Sequence, residues 1–286
     1  MFELWRSVKK NRRLLRDFVV RDLKGRYIGS TMGFFWSVIF PLINLAIYAF
    51  VFRLVLKARW SDHQGPEEVV LLMFAGIVVW SAFAETVSRS TNTLVENSNL
   101  IQKVVFPSEI LPVYLATSSL INMCIALPFV LIGVAWFGYV DPQAAPQVAA
   151  AAGDPVYVPL SFGLSLVLLP VLFALQAMLA LGLGYFLAAL NLLVRDVYHL
   201  IGVFLTVWMF ATPIFYPAIS VQKAGFGWII EANPMYWLID SYRTVLLYGA
   251  WPNFALLARF MLVALLVLLG GSRFFMSTKP RFPDLL

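Results

Sequence analysis

Charge is scarce in this 286-residue chain: 13% of residues are Asp, Glu, Lys or Arg, against 61% hydrophobic. Soluble domains carry roughly 25% charged residues, so a separate soluble domain is excluded. Cysteine is scarcer still. Cys124 has no second cysteine to pair with, which rules out a disulfide framework or a thiolate metal cluster within one chain. The two histidines, His63 and His199, fall on predicted opposite sides of a membrane, so no metal site is expected. There is no Gly-x-x-x-x-Gly-Lys loop and no Gly-Lys dipeptide, which excludes ATP binding in the usual way. No Gly-x-Ser-x-Gly elbow or His-Glu-x-x-His helix is present. The paired acids Glu67 and Glu68 read as solvated charges in an outer loop. No catalytic residue and no bound cofactor is expected. The first stretch is basic and amphipathic, unlike the apolar core and small-residue cleavage site of a signal peptide.

What is present is a series of uncharged runs long enough to cross a bilayer. They fall at about Gly33 to Leu56, Val69 to Leu94, Leu111 to Phe137, Pro159 to Leu193, Val197 to Pro217 and Pro252 to Gly271. The fourth run, uncharged from Pro155 to Val194, is long enough for two tight spans. It reads as one helix with Pro170 absorbed as a kink. The expectation is an all-α integral membrane protein of six spans and one domain. Residues 1–32 would lie at the cytoplasmic interface, 33–271 would hold the spans and 272–286 would form a cytoplasmic tail.

Lysine and arginine orient the spans. Nine precede the first: Arg6, Lys9, Lys10, Arg12, Arg13, Arg16, Arg21, Lys24 and Arg26. Placing them in the cytoplasm puts Arg89, Lys103, Arg195, Arg273, Lys279 and Arg281 on the same side. Lys57, Arg59, Lys223 and Arg243 remain outside, with both termini inside. Leu4, Val8, Leu15, Phe18, Val19 and Leu23 interleave with the first cations at helical spacing, which describes an interfacial helix rather than a nucleic-acid arm. Ions in lipid are costly unless they face protein, water or a partner. Glu85 and Arg89, four apart, can pair on one face. Arg53 can snorkel or serve function, and Arg259 sits inside the last span.

One loop, NSNLIQKVVFPSEILPV from Asn97 to Val113, is more structured than a connector needs to be. Asn97, Ser98 and Asn99 are helix caps. Leu100 to Val105 then gives less than two turns, with Ile101 and Val104 on one side and Gln102 and Lys103 beside them, until Pro107 stops it. Ser108 is placed to cap the next helix, with Pro112 in its first turn. So short a helix is not stable alone, and its apolar side should dock elsewhere. The membrane surface is one such place and another protein is the other.

Several segments together resemble a known family, the permease subunit of ABC exporters that move polysaccharides such as O-antigen and wall teichoic acid. They are RDLKGRYIGSTMGFFWSVIFPLINLAIYAFVF (Arg21 to Phe52), NLIQKVVFPSEILPV, LNLLVRDVYHL (Leu190 to Leu200), TPIFYP (Thr212 to Pro217) and NPMYWLIDSYR (Asn233 to Arg243). The alanine- and proline-rich stretch from Asp141 to Asp154 departs from the compact loop expected of the family. The resemblance implies that Leu100, Ile101, Gln102, Lys103, Val104 and Val105 form a coupling helix seated in a separate ATPase subunit. The Arg195 and Asp196 turn would be a second contact.

Further expectations concern the path of the cargo. Gly225 to Ile230 and Pro234 to Tyr248 are apolar but too short to cross, and read as a re-entrant hairpin forming an external gate, with Asp240 and Arg243 paired across one turn. A channel for a hydrated glycan would offer aromatic platforms. Tyr48, Phe52, Trp80, Phe83, Trp208, Phe210, Phe215 and Tyr216 are the candidates, although core packing or an interfacial belt accounts for each of them singly. A lipid pyrophosphate would be met by Arg21, Lys24 and Arg26, which positive-inside bias explains equally well. The reading is a noncatalytic permease in a bacterial inner membrane, a homodimer with two copies of an ATPase that holds the ATP and magnesium. It would export lipid-linked O-antigen or a similar polysaccharide. Export of teichoic acid, capsule, lipid or drug by the same architecture is the near alternative, and a membrane enzyme acting on polyprenyl-linked sugars the distant one.

Overall fold

The computed structural model describes residues 2–26, 35–57, 60, 65–103, 106–140 and 160–286. Among them every regular element is helical. Two short helices, α1 (Phe2–Lys10) and α2 (Arg12–Gly25), precede α3 (Trp36–Tyr48), which runs on as a π-helix over Ala49–Val55. Then come α4 (Pro66–Glu96), α5 (Ser98–Lys103) and α6 (Ile110–Ala135), followed by α7 (Leu169–Leu193), which a 3-10 turn over Leu164–Leu168 introduces. After α8 (Val197–Ala211) come three shorter pieces, α9 (Ala218–Lys223), α10 (Gly227–Glu231) and α11 (Pro234–Leu247). The chain closes with α12 (Phe254–Thr278) and α13 (Phe282–Leu285).

Among the described residues five helical stretches are long and apolar enough to cross a membrane: Trp36–Val55, Pro66–Glu96, Ile110–Gly138, Leu164–Leu193 and Phe254–Leu285. The expected fifth span is shorter. Its helix ends at Ala211, and Thr212 to Tyr216 carries no helix. The fourth run, over its described part, is one helix, with Pro170 in its first turn rather than at a kink. There the missing N–H is one the helix would leave unpaired anyway. The last helix continues past Gly271 to Thr278. The departure from the family pattern, Asp141 to Asp154, lies outside the described residues.

Helix α4 is the most enclosed element, packed against α6, α7, α8 and α11. The most extensive pairing joins α7 and α12. Its cause is two glycines: a Cβ on Gly271 would lie 2.0 Å from the Gly182 carbonyl oxygen, and one on Gly182 2.6 Å from the Leu268 nitrogen. Helices in lipid associate by close backbone approach, which small residues permit. Inside the bundle Gln176 of α7 donates to the Val79 carbonyl (3.1 Å) and accepts from the Tyr242 hydroxyl (2.9 Å), tying α4, α7 and α11 together.

A second, smaller core fills one end of the bundle, where Leu4, Leu94, Leu111, Tyr185, Phe275 and Phe282 meet. Val8, Phe18 and Ile101 pack against it. The apolar stripe of the first helices therefore rests partly on protein, and Asn11 divides the expected single helix into two. We call this the basic end.

Candidate functional site

The basic end brings together residues that are distant in sequence. Helix α5 begins at Ser98, two residues earlier than the loop pattern suggests. Asn97 does not cap it. Its amide donates to the Thr93 carbonyl (2.8 Å) and closes α4 instead. Ser108 does not cap α6 either, and its buried hydroxyl has no hydrogen-bond partner. On α5, Ile101 packs on its own bundle while Asn99, Leu100, Gln102 and Lys103 are exposed. The surface offered outward is thus the Leu100 and Lys103 side. Val104 and Val105 lie outside the described residues.

The loop after α5 is pinned from two sides. Lys279 makes a 2.6 Å ion pair with the buried Glu109, and the Tyr185 hydroxyl donates to the Glu109 carbonyl (2.9 Å). Neither contact was expected, since no local pattern links positions so far apart. Arg195 and Asp196 are exposed. Arg195 shares a cleft of about 320 Å³ with Ser98 at the start of α5, Tyr198 and Leu286.

Four charges join α2 to α4. Asp22 and Arg26 pair one turn apart (3.1 Å), as do Glu85 and Arg89 (3.2 Å). Across the helices Arg26 meets Glu85 (2.5 Å) and Arg89 meets Asp22. Burial pushes the Asp22 carboxyl up, but the hydrogen bond and charge of Arg89, with Arg26 behind them, outweigh it and hold the group below the usual carboxylate range. The Glu85 and Arg89 pair is as the spacing predicts. Asp22 was missed, although its place four residues before Arg26 is a readable signal.

Of the three expected pyrophosphate cations, Arg26 is engaged by carboxylates and Lys24 is exposed. Arg21 lines a cleft of about 690 Å³ with Arg89, Asn99, Leu100 and Tyr114.

At the opposite end the quoted segments TPIFYP and NPMYWLIDSYR interlock. Arg243, 6% exposed, donates to the carbonyls of Leu72 (3.0 Å), Pro213 (2.9 Å) and Ile214 (3.0 Å). Gly76 makes room for it, since a Cβ there would stand 2.9 Å from the guanidinium. Asn233 donates to Thr212 Oγ1 (2.9 Å) and accepts from Trp208 Nε1 (3.0 Å) and from the first turn of α11. The backbone freed where α8 stops is satisfied by these two side chains, as irregular backbone at membrane depth requires. The expected Asp240 and Arg243 ion pair is not formed, because three carbonyls already occupy the guanidinium.

Glu67 and Glu68 are not solvated charges. Glu67 pairs with Arg53 (2.8 Å), which also lies over the Phe137 ring, and the buried Glu68 accepts from the Tyr248 hydroxyl (2.7 Å). Arg259 is exposed in the second turn of α12, near the helix end rather than mid-span, where a long side chain can reach the interface.

The aromatic candidates separate into two groups. Trp80 and Phe83 are buried against Trp208 in a three-ring cluster with centroids 5.4–6.0 Å apart. Tyr48, Phe52, Phe210 and Phe215 form a chain of neighbouring rings at a less enclosed site, and the Tyr216 hydroxyl donates to the Phe210 carbonyl. No group of three or more potential metal ligands occurs among the described residues.

An all-helical set of described residues with several long apolar helices defines a multi-pass membrane protein. The profile of the ABC-2 type transporter family matches residues 14–247, and the chain belongs to that family. It is similar along 99% of its length to a protein of Myxococcus xanthus named O-antigen export system permease protein RfbA, at 29% identity over 99% of that protein. Two proteins of Klebsiella pneumoniae with the same name are 25% and 24% identical over 98% of this chain and 99% of theirs.

Proposed function

We propose that this chain is the membrane-spanning permease subunit of an ABC exporter. It moves lipid-linked O-antigen across a bacterial inner membrane, driven by ATP hydrolysis in a separate subunit. The observation that carries this reading is that relatives named O-antigen export permeases align with it over nearly the whole of both chains. The basic end is the cytoplasmic one, because lysine and arginine concentrate there, and both termini lie inside. The fifth of six spans is α8, with α10 and α11 forming the re-entrant external gate that Arg243 and Asn233 hold shut. Two copies pair with two ATPase subunits. The first span supports this, since its most apolar stretch is buried nowhere within the protomer.

The exposed side of α5, with the Arg195 and Asp196 turn beside it, seats in the ATPase, while Ile101 transmits the motion inward. The exposed Phe210 and the half-buried Tyr48, Phe52 and Phe215 give the glycan flat apolar faces, and Arg21 beside the larger cleft meets the pyrophosphate.

The test uses the purified complex in proteoliposomes. Leu100→Asp should insert normally, hydrolyse ATP and export little, whereas Ile101→Asp should lower folded yield. Wild-type export by Leu100→Asp removes α5 from the coupling role, and export by this chain without any ATPase removes the whole reading.

A further inference from the structure

A groove of about 320 Å³ runs between α3, α4 and α6, lined among others by Asn44, Tyr48, Ser81, Glu85, Ser119 and Asn122. These polar groups sit on three of the helical stretches that are apolar enough to cross a membrane. Ser119 is fully buried and its hydroxyl has no hydrogen-bond partner; the Asn122 side-chain carbonyl has none either. Asn44 spends its amide on the Phe40 carbonyl of its own helix (3.0 Å). A buried polar group without a partner is unfavourable, and intramembrane polar groups that face a cavity mark a substrate path.

The lining also says which substrate. It has hydroxyls, side-chain amides, the Glu85 carboxylate at its end and the rings of Phe40 and Tyr48, and no cation among the described residues. An anionic headgroup would lack a counter-charge there, and an acyl chain would leave the amides unpaired. A neutral hydroxylated ring satisfies both halves of the surface, its hydroxyls on Asn122 and Ser119 and its apolar face on an aromatic ring.

Glu85 ends the groove, and beyond it Asp22, Arg26 and Arg89 line the 690 Å³ cleft beside α5. The ionic ring is therefore the partition between the two cavities. Its wiring lets it open cheaply. If α2 withdraws, the two cross-helix pairs break, but Asp22 keeps Arg26 and Glu85 keeps Arg89, so no charge is left alone.

We infer that the groove binds a neutral sugar unit of the exported glycan and that the Asp22, Arg26, Glu85 and Arg89 ring is its door at the basic end. This rests on the export reading above.

The experiment uses the full chain with its ATPase in inside-out membrane vesicles. Cys124 is replaced by Ala, and a single thiol is introduced by Asn122→Cys or, as a lipid-facing control, by Val203→Cys on the exposed face of α8. A membrane-impermeant cationic methanethiosulfonate should modify the Asn122→Cys thiol about tenfold faster than the control, as exposure to water governs thiol reactivity. The strain's own polyprenyl-pyrophosphate-linked polysaccharide should slow that reaction severalfold, and the same lipid without sugar should not. Adding Asp22→Asn should speed it. A rate equal to the control, equal protection by the sugar-free lipid, or spontaneous disulfide dimers of Asn122→Cys showing a second copy in the groove would each overturn the site. Export by the Cys124→Ala parent is scored separately. Sugar protection without export sinks the transport reading and leaves the site standing.

Discussion

The two ends of the bundle handle buried charge in opposite ways. At the basic end three cations meet a carboxylate on another element: Arg26 with Glu85, Arg89 with Asp22, Lys279 with Glu109. At the far end Arg243 spends its guanidinium on backbone carbonyls of α4 and of the segment after α8. Side-chain pairs can be exchanged for water, for a ligand or for a neighbour on the same helix. Carbonyls at a helix break cannot, because nothing else there can donate to them. One end is built to move and the other to hold.

Replacing Arg243 should therefore do the most damage. Arg243→Met leaves the Pro213 and Ile214 carbonyls without their donor, at about 1–3 kcal/mol each, and thermal unfolding in detergent should show loss of most of the folded protein. Arg243→Lys should recover little, since an ammonium cannot reproduce a planar fork. Folding at wild-type yield by either variant would mean that this end is not the fixed one. Asn233→Ala comes next. It removes an N-cap and the tie to Thr212 and Trp208 at once, and should cost about 1–3 kcal/mol by the same measurement.

The ring should be softer. A double-mutant cycle on Asp22→Asn and Arg89→Gln should give a coupling of about 1 kcal/mol, with each single variant still inserting and folding. A coupling as large as the Arg243 loss would erase the contrast between the ends. The smallest effect is that of pH. Because the Asp22 carboxyl titrates below its ordinary value when folded, its contribution is complete above the unfolded pKa, about 3.9. It is lost as pH falls through the lower folded value. The stability gap between wild type and Asp22→Asn should hold from pH 8 to about 5 and close only in stronger acid. A gap that widened with acid would reverse the sign assigned here.

How much of this was legible depended on the range of the interaction. The Glu85 and Arg89 pair is visible because four residues make one helical turn, and the short helix after Asn97 is visible because Pro107 ends it. Which face of that helix is free is not legible: its pattern points to apolar Ile101 as the side that meets a partner, yet Ile101 packs against the chain's own second core. Trp80 and Phe83 suited a channel by residue type but face Trp208 inside the bundle. The Asp240 and Arg243 spacing allowed a pair that the carbonyls of Pro213 and Ile214 pre-empt.

By itself, then, the sequence determined the membrane as solvent, the long apolar helices, the orientation bias and the family segments, since all of these follow from composition and from neighbours within one turn. Tertiary structure alone decided that Asp22 closes on Arg89, that Lys279 reaches Glu109 and that Asn233 and Arg243 mend the break after α8. The reason lies in the lipid. Hydrocarbon offers no water to satisfy a polar group, so each one must find a partner wherever packing brings it, and packing brings together residues that no local period can pair.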